Sequence, residues 1–495
     1  MSRSACLEIH AINVSQGDLI LIINRDLAKV KEKIEARDDA ELPGDPIDWV
    51  PYARHHGVSL YGTVRKALWI DGGDTCFADG VYVLLEDWGV VDRGETWFPH
   101  LSILVSHFHD DHIGALTNLF GYYETKVIDK KKRKVYCERI RPAAVYLNVT
   151  NSAADAQAST LTTDLRRRIK EGRVASAEKA TAMREVWPGG LTPETPDKAS
   201  TPVEIDLGTG VDDIPIKCVL RAAHGVFNPV TKTVHKPKSR KGKWDENDRS
   251  LAVVVEYGSF RYFAAGDIAG DGRAGGGNEG DNAMPDGPGL SSGHGDMEKP
   301  LREALTAAYP KTEDTGWTAG RAKFTSAGYA TVMKISHHGS ASSTDVHTLA
   351  TLRPLVVTIS AGYKIKYHAF PRKQVVNRMD PNKTSTWKAP DGSAVPNSVK
   401  GVYLTEPATK NDEDLTPKAL PDHWRVVGDI VVRPVDESVR AVQKSIAKGE
   451  KIEVQVYGVG IQEKPESEKF TLRPLAKKNT EGVYPIGPFW HSDEH

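Results

Sequence analysis

The most constraining feature of this sequence is a pattern in which a short apolar run stops abruptly at a histidine or an aspartate. The pattern occurs before His107, His224, Asp267 and the pair His337-His338. Apolar runs of about four to eight residues between polar segments are typical of buried strands. A single histidine at a strand end is usually a packed or capping residue, but the repetition indicates a shared site. The sequence therefore predicts several strands that carry polar ligands to one edge of the fold.

Strand and helix patterns alternate along the chain. Further strands are expected at Leu7–Val14, Leu19–Ile23, Ala67–Ile70, Leu101–Val105, Ile216–Ala222, Val332–Ile335, Leu355–Ile359 and Asp429–Val435. Helical spacing is expected at 297–308, 345–352 and 371–379. Leu251–Tyr257 and Phe260–Ala265 are joined by Gly258-Ser259, a two-residue hairpin signal. Hairpins beside helices favour an α/β (α+β) fold, a four-layer αββα sandwich of two sheets with helices outside, over a doubly wound parallel sheet.

We expect one main domain over residues 1–435 and a charged C-terminal extension over 436–495. Insertions in the main domain are expected at about 25–65, 121–200 and 269–330. The first is expected to hold one solvated helix, and the second an Ala- and Arg-rich helical stretch at about 153–185. The third begins with a Gly-, Asp-, Asn- and Pro-rich segment, 269–295, which predicts a long mobile loop. Because this loop follows Asp267, we expect it to lie over the site, either as a lid or as an insertion without a role.

The composition limits the function classes. With 495 residues the chain is too long for one minimal domain. The formal net charge is −1, so polyanion binding would have to come from local patches such as Lys130–Lys134 and Lys232–Lys243. Four cysteines without a CxxC pair argue against a disulfide framework or a cysteine zinc knuckle. No apolar run approaches the roughly 20 residues that span a bilayer. The N-terminus also lacks a signal-peptide pattern, so we expect a cytoplasmic protein without a membrane partner.

The strongest local signal is Ser106-His107-Phe108-His109-Asp110-Asp111-His112, which has the pattern HxHxDH. Imidazole nitrogens and carboxylate oxygens suit zinc, manganese or iron. His107 and His109 lie two residues apart, so they can point the same way and bind one metal. Asp111 and His112 follow the turn and can bind a second. A chance histidine cluster on a surface loop is the competing interpretation, which the match at every specified position disfavours.

The other strand-end residues complete a two-metal ligand set. His224 follows one predicted strand, and Asp267 follows another, where its carboxylate could bridge both ions. Either His337 or His338 could supply the last ligand, and spacing alone does not choose between them. The expected cofactors are two divalent metal ions, zinc or manganese, which the sequence does not distinguish.

The order HxHxDH, His, Asp, His resembles the metallo-β-lactamase superfamily. Further segments resemble its ComEC-type branch, the hydrolase domain of competence proteins and its soluble relatives, which include phosphorylcholine esterases. These segments are Ile12–Asp18 (similar to the family's DVGQGD), Leu68–Gly73, Asn247–Leu251, Ala265–Asp267, Ile335–Ser340, Ile359–Gly362 and Tyr367–Pro371 (usually YGHP in the family). Asn13 departs from the usual Asp, at a position that supports the fold more than it binds metal. The insertions depart further and leave the substrate open.

The resemblance implies which metal each residue would bind. The first metal would have three histidine ligands, His107, His109 and His224. The second would be held by Asp111, His112 and His338, and Asp267 would bridge both ions. His338 is favoured over His337 because the residue just before Gly339 matches the last ligand position of the family.

The resemblance also implies a reaction, hydrolysis of a phosphoester by a phosphodiesterase or nuclease that uses a metal-bridged hydroxide. Asp111 would orient the hydroxide, and His337 would contact the substrate phosphate. His368 would stabilise the leaving group or bind phosphate, unless it makes a structural hydrogen bond. The substrate would be a nucleic acid or a nucleotide-like ester. Alternatives are hydrolysis of another ester or amide, and a non-hydrolytic metal-binding protein that acts as a partner in a multi-protein system.

Overall fold

The computed structural model describes the chain over most of its length. The described residues are 5–14, 17–37, 42–44, 46, 49–128, 130–148, 160, 163–169, 182–186, 203–222, 225–228, 231, 233–235, 246–258, 260–270, 296–308, 330–340, 342–361, 370–405, 424–426, 428–434, 454–459 and 483–486. They form a mixed α/β structure with two large sheets. None of the helices among these residues is long and apolar enough to cross a membrane.

The elements are numbered in chain order. The strands are β1 (Ala5–Ala11), β2 (Ile20–Asp26), β3 (Val64–Ile70), β4 (Trp97–Val105), β5 (Gly121–Ile128), β6 (Lys131–Glu138), β7 (Arg141–Asn148), β8 (Ala182–Val186), β9 (Glu204–Thr209), β10 (Pro215–Ala222), β11 (Val226–Asn228), β12 (Thr233–His235), β13 (Ala252–Tyr257), β14 (Phe260–Ala264), β15 (Val332–Lys334), β16 (Val356–Ile359), β17 (Thr386–Lys388), β18 (Ala394–Pro396), β19 (Gly401–Leu404), β20 (Trp424–Val426), β21 (Asp429–Pro434), β22 (Val454–Val459) and β23 (Val483–Ile486). The α-helices are α1 (Leu27–Glu35), α2 (Trp49–His55), α3 (Ala78–Asp87), α4 (Asp110–Phe120), α5 (163–169), α6 (Glu298–Ala308), α7 (Val346–Leu352) and α8 (Lys373–Met379).

Both large sheets are mixed. The first has the strand order β23-β22-β21-β1-β2-β3-β4-β7-β8, and the second the order β12-β11-β10-β13-β14-β15-β16-β19-β20, with β9 paired to β10. In each sheet an antiparallel portion, β1–β2–β3 or β10–β13–β14, continues into parallel strands, β3–β4–β7 or β14–β15–β16. The mixed pairing agrees with the α/β (α+β) class that the sequence predicts.

Three apolar clusters follow the alternation of side chains along the strands. On β3, Leu68 and Ile70 lie in a cluster shared with β13 and β14 of the second sheet. Ala67 and Trp69 point the other way, into a cluster that contains residues of α1, α2, α3 and α4. The third cluster joins the second sheet to residues of α6, α7 and α8. Each sheet therefore packs one face in a common apolar cluster and the other against helices.

The segment predicted as a solvated insertion at 25–65 contributes to the core instead. Asp26 caps α1, and its Oδ1 accepts hydrogen bonds from the backbone N–H groups of Ala28 (3.1 Å) and Lys29 (3.4 Å). Buried residues of α1 recur at helical spacing, Leu27, Val30 and Ile34. The expectation of one solvated helix is wrong, because charged residues between these positions hide an apolar stripe.

Two other segments, predicted as an insertion and as an extension, contain strands of the first large sheet. The insertion predicted at 121–200 contains β7 and β8, which belong to the first large sheet, and the two-stranded hairpin of β5 and β6. The helical stretch expected at 153–185 includes α5 but ends in strand β8. The extension predicted at 436–495 contains β22 and β23, which continue the same sheet beyond β21. The loop predicted at 269–295 lies almost wholly outside the described residues.

Parallel pairing brings several strand ends together. Ile70 of β3 pairs with Leu104 of β4, and Tyr262 of β14 pairs with Val332 of β15, in parallel register. The carboxyl ends of parallel strands lie at the same edge of a sheet, so the residues that follow them become neighbours. In the first sheet, the adjacent strands β3 and β4 therefore lead to Asp71 and His107. In the second sheet, the adjacent strands β14 and β15 lead to Asp267 and His337.

Strand β21 begins with a buried carboxyl group. The backbone N–H of Asn13 donates a 2.7 Å hydrogen bond to Oδ1 of Asp429, which is 0% exposed. Burial raises the pKa of Asp429 to about 7, although the Asn13 N–H and the charge of Arg54 act in the opposite direction. The folded protein thus keeps a proton on Asp429 at pH values where the unfolded chain has lost it.

Replacement of this carboxyl, Asp429→Asn, should remove a pH-dependent part of the stability. A raised pKa in the folded state stabilises the wild type below about pH 4, and this stabilisation disappears as the pH rises to about 7. The difference in unfolding free energy between wild type and Asp429→Asn should fall across this range by up to about 1.4 kcal/mol per pH unit. Urea denaturation at several pH values measures it, with the exposed Asp206→Asn as a control. A difference that does not vary with pH would contradict the assignment.

Candidate metal centre

The HxHxDH segment forms the tight connection between β4 and α4. Strand β4 ends at Val105, and α4 begins at Asp110 with His109 at its N-cap position. Asp110 and Asp111 occupy the first turn of α4, where the partial positive charge of a helix N-terminus favours carboxylates. The side chain of His107 is fully buried, whereas that of Asp111 is 25% exposed. The segment thus directs part of its polar groups inward and leaves Asp111 reachable from solvent.

A buried aspartate fixes this segment to the end of β3. Asp71 accepts hydrogen bonds from the backbone N–H of Ser106 (2.7 Å) and from its Oγ (2.5 Å). Nδ1 of His112 lies 2.8 Å from the second oxygen of Asp71. Because a hydrogen bond to a carboxylate requires the proton on Nδ1, the Nε2 atom of His112 is directed into the site.

The carboxylate of Asp267 lies between two histidine groups. Its Oδ1 is 3.2 Å from Nε2 of His112 and 3.7 Å from Nε2 of His338. Its Oδ2 is 3.6 Å from Nε2 of His337 and 3.9 Å from Nε2 of His107. Each oxygen therefore faces different imidazoles, so the two oxygens could contact different cations.

Backbone contacts hold Asp267 in this position. Its N–H donates a 3.1 Å hydrogen bond to Oγ of Ser250, and the N–H of His337 donates a 2.9 Å bond to the carbonyl of Gly266. Gly266 has φ +47°, and a Cβ there would lie 3.0 Å from the side chain of Ser250 and 3.1 Å from that of Ser106. Glycine thus allows the loops after β4, β14 and β15 to meet at the carboxylate.

A second ligand group surrounds the start of α4. Ligand atoms of Asp111, His112 and His338 all lie within 4.8 Å of one another, as do those of His107, His112 and Asp267. Nε2 of His338 is 3.6 Å from Oδ2 of Asp111. Nδ1 of His338 lies 3.0 Å from the carbonyl of Ser360, which requires the proton on Nδ1 and directs Nε2 toward the two carboxylates.

The spacing of these atoms fits bound metal ions. Zn–N distances of about 2.0–2.1 Å place neighbouring tetrahedral ligand atoms about 3.4 Å apart, close to the separations around Asp267. Nε2 of His112, Nε2 of His338 and Oδ1 of Asp267 are buried, and none makes a geometrically acceptable hydrogen bond to the described residues. Buried polar atoms without a hydrogen bond are costly, and these three face one another closely enough that they could hold a cation.

The electrostatics of the cluster leave its carboxylates ionised. Burial would raise the pKa of Asp267, but the neighbouring histidines, His112 foremost, lower it well below the usual range. Burial would also raise the pKa of Asp111, but His338 and His112 lower this pKa to about 2. Burial lowers the pKa of His107, and the nearby charge of His112 adds to this effect. Burial opposes it, but nearby carboxylates, Asp267 foremost, raise the pKa of His112 and of His338. A metal that bound there would have to displace protons from these two histidines, whereas Asp267, Asp111 and His107 already have the protonation states that bind a metal.

The paired histidines after β15 have different environments. His338 is 1% exposed at its side chain and lies against Asp111, whereas His337 is 16% exposed. Both residues have positive φ, 48° and 52°, a conformation that is uncommon for residues other than glycine and that occurs at functional sites. Of the two, His338 is the more buried and lies closer to Asp111, whereas His337 is the more exposed; the choice of His338 as the ligand stays a prediction.

The remaining predicted residues are only partly placed. His109 lies beside His107, with its Nδ1 3.2 Å from Nε2 of His107. His224 and His368 lie outside the described residues, so their predicted roles stay predictions. The structure thus brings together His107, His109, Asp111, His112, Asp267, His337 and His338.

Three residues of the centre received no role from the sequence. Asp71 follows an apolar strand as His107 does, so the same pattern would have found it. Lys334 forms a buried ion pair with Asp18, whose Oδ1 is 3.5 Å from Nδ1 of His338. A lysine inside the apolar run Met333-Lys334-Ile335 signals a buried partner, but nothing in the sequence identifies that partner as Asp18.

Comparisons with known proteins do not assign the chain to a family. No protein-family model and no curated protein sequence matches it. The function proposed below therefore rests on the geometry of the described residues and on the resemblance of the motifs.

The two adjacent histidines offer a matched pair of variants. His338→Gln should weaken binding of one metal ion by more than the roughly 10–100-fold that loss of an outer hydrogen-bond partner costs, because it removes a ligand atom. His337→Gln should keep the metal affinity of the wild type. Titration against a metal-buffering chelator measures both, and thermal unfolding controls for folding. A loss of metal affinity only in His337→Gln would reverse the assignment. Equal losses of metal affinity in the two variants would contradict it.

Proposed function

We propose that this protein is a binuclear metal-dependent hydrolase that cleaves a phosphoester bond, as a phosphodiesterase or nuclease. The position of Asp267 supports the proposal most strongly, since its Oδ1 faces the proposed ligands His112 and His338 at 3.2 and 3.7 Å. Its Oδ2 faces the proposed ligand His107 at 3.9 Å. A carboxylate whose two oxygens face separate proposed ligands is suited to a pair of metal ions. The choice of a phosphoester rests on the resemblance of the motifs to the metallo-β-lactamase superfamily.

We further propose that the fold is the four-layer αββα sandwich of that superfamily. The apolar cluster common to both sheets and the helix clusters on their other faces support this architecture. The convergence of ligands from the ends of β3, β4, β14 and β15 at one edge also supports it. In such a sandwich the metal centre would lie where both sheets end.

The chain's own residues suggest how a substrate would be bound. Two divalent ions, when bound, would activate a water molecule and neutralise charge on a phosphoryl oxygen. Asp111 lies at the start of α4 with its carboxylate partly exposed and ionised, so it can orient a water. His337 is also solvent-accessible, and its imidazole can donate a hydrogen bond to a phosphate oxygen. The ring of Phe370 lies beside that of His337, with a distance of 5.7 Å between the ring centroids.

Metal content and hydrolysis of bis-p-nitrophenyl phosphate, measured on the same preparation, test the proposal. We expect about two ions per chain. Asp267→Ala should lower the rate at least about 100-fold because it removes the bridging ligand. Asp206→Ala, which removes an exposed carboxylate from β9, should retain the wild-type rate and metal content.

Other outcomes would exclude parts of the proposal. Wild-type hydrolysis by Asp267→Ala would place the chemistry elsewhere. Two bound ions without cleavage of any phosphodiester would favour hydrolysis of another ester or amide, or a non-hydrolytic role. Absence of metal and of activity after addition of zinc or manganese would contradict the hydrolase altogether.

A further inference from the structure

The hairpin of β5 and β6 projects from the body of the protein. It begins directly after α4 and pairs with neither large sheet. Its distal half consists of the paired segments Thr125–Ile128 and Lys131–Lys134, in which every residue is exposed. At about 3.4 Å per residue, this half extends about 14 Å. A two-stranded sheet of this kind gains little stability by itself.

The base of the hairpin is fixed to the core. Nη1 of Arg168, on α5, donates hydrogen bonds to the carbonyls of Thr117 (2.8 Å) and Gly121. The rings of Tyr123 and Tyr136 pair across the strands at 5.4 Å, and the guanidinium of Arg167 lies 5.1 Å from the Tyr123 ring. The distal half is thus an extension of an anchored base.

The projecting half is strongly basic. Five consecutive cations occupy Lys130–Lys134, and Lys126 lies on the opposite strand. Lys126 pairs with Glu124 at 3.2 Å, but no carboxylate of the described residues forms an ion pair with Lys131, Lys132 or Lys134. One or two lysines suffice to protect an exposed strand edge from pairing with another chain. Five adjacent cations repel one another, and a polyanion would relieve that repulsion.

Exposed apolar side chains accompany this charge. The described part of the chain has four large exposed apolar residues, of which Tyr122, Val127 and Ile128 lie on the hairpin. Tyr122 is 39% exposed, Val127 69% and Ile128 39%. Nucleic-acid-binding proteins combine cations that contact phosphates with aromatic or aliphatic groups that contact bases. This combination fits a nucleic acid better than a small phosphate ester.

We propose that the β5–β6 hairpin is a nucleic-acid-binding arm that holds a nucleic-acid substrate for the metal centre. This inference rests on the proposed hydrolase function, because it takes the bound nucleic acid to be the substrate of that enzyme. Helix α4 connects the two sites, with Asp111 in its first turn and the hairpin after its last. Its 11 residues span about 16 Å at 1.5 Å per residue. The cationic half of the hairpin lies about 14–27 Å further along its strands from this end of α4, at about 3.4 Å per residue. A nucleic acid of about 9–13 base-pair steps of 3.4 Å is therefore long enough to reach from the metal centre to the hairpin cations.

Matched charge variants test the arm on the full-length protein with its metals. The variant K131Q/K132Q/K134Q removes three hairpin cations, and K29Q/K31Q/K33Q removes three from α1 with the same change in net charge. Binding is measured by fluorescence anisotropy with phosphorothioate-linked DNA and RNA oligonucleotides, which resist hydrolysis, at several salt concentrations. The hairpin variant should bind the oligonucleotides at least about tenfold more weakly at low salt. The slope of log K against log salt concentration should be smaller in magnitude by roughly 2 to 3 than for the wild type. The α1 variant should bind like the wild type.

A second measurement separates the arm from the metal centre. Both variants should hydrolyse bis-p-nitrophenyl phosphate at the wild-type rate, because this small ester does not reach the hairpin. The anisotropy result tests the arm even if the protein hydrolyses no phosphodiester, so the two proposals can fail separately. Unchanged oligonucleotide affinity in K131Q/K132Q/K134Q would overturn the inference. Hairpin-dependent binding to phosphatidylserine vesicles without oligonucleotide binding would also overturn it, and would identify a membrane contact.

Discussion

The burial of the Asp267 carboxylate is the constraint on which the rest of the centre depends. A buried carboxylate is stable only with cationic or hydrogen-bonding partners, and here the partners come from the loops after β4 and β15. Gly266 permits the close approach of these loops, and Ser250 fixes the backbone of Asp267. The successive left-handed residues His337 and His338 place one imidazole inward and the other toward solvent. The fold thus concentrates strain and charge at one edge of its sheets.

Buried polar groups outside the proposed ligand set hold the ligand side chains in place. Asp71 holds His112 and the Ser106 backbone, and the Ser360 carbonyl orients His338. Asp18 and Lys334 form an ion pair within the same buried region. Breaking a buried pair leaves an uncompensated charge, which is strongly destabilising. The outer residues therefore preserve the direction of each ligand atom, and metal affinity depends on such outer partners.

The sequence predicts the parts of this arrangement that are local. Apolar runs ending at His107, Asp267 and the paired histidines identify strand ends, because strand period and ligand chemistry are both visible in a few residues. The partnership of Lys334 with Asp18 is not visible, since 316 positions separate them in the sequence. The hairpin after α4 was missed because its lysines are typical of a solvated loop. The burial of α1 was missed because three apolar residues are hidden among charged ones.

We propose that the cluster around Asp267 holds two metal ions. Anomalous diffraction, recorded on either side of the zinc and manganese absorption edges from metal-loaded crystals, locates such ions directly. We expect two peaks about 3.5–4 Å apart, one on either side of the Asp267 carboxylate. One peak should lie near His107 and the other between Asp111 and His338. A single peak, or peaks away from Asp267, would contradict the binuclear centre.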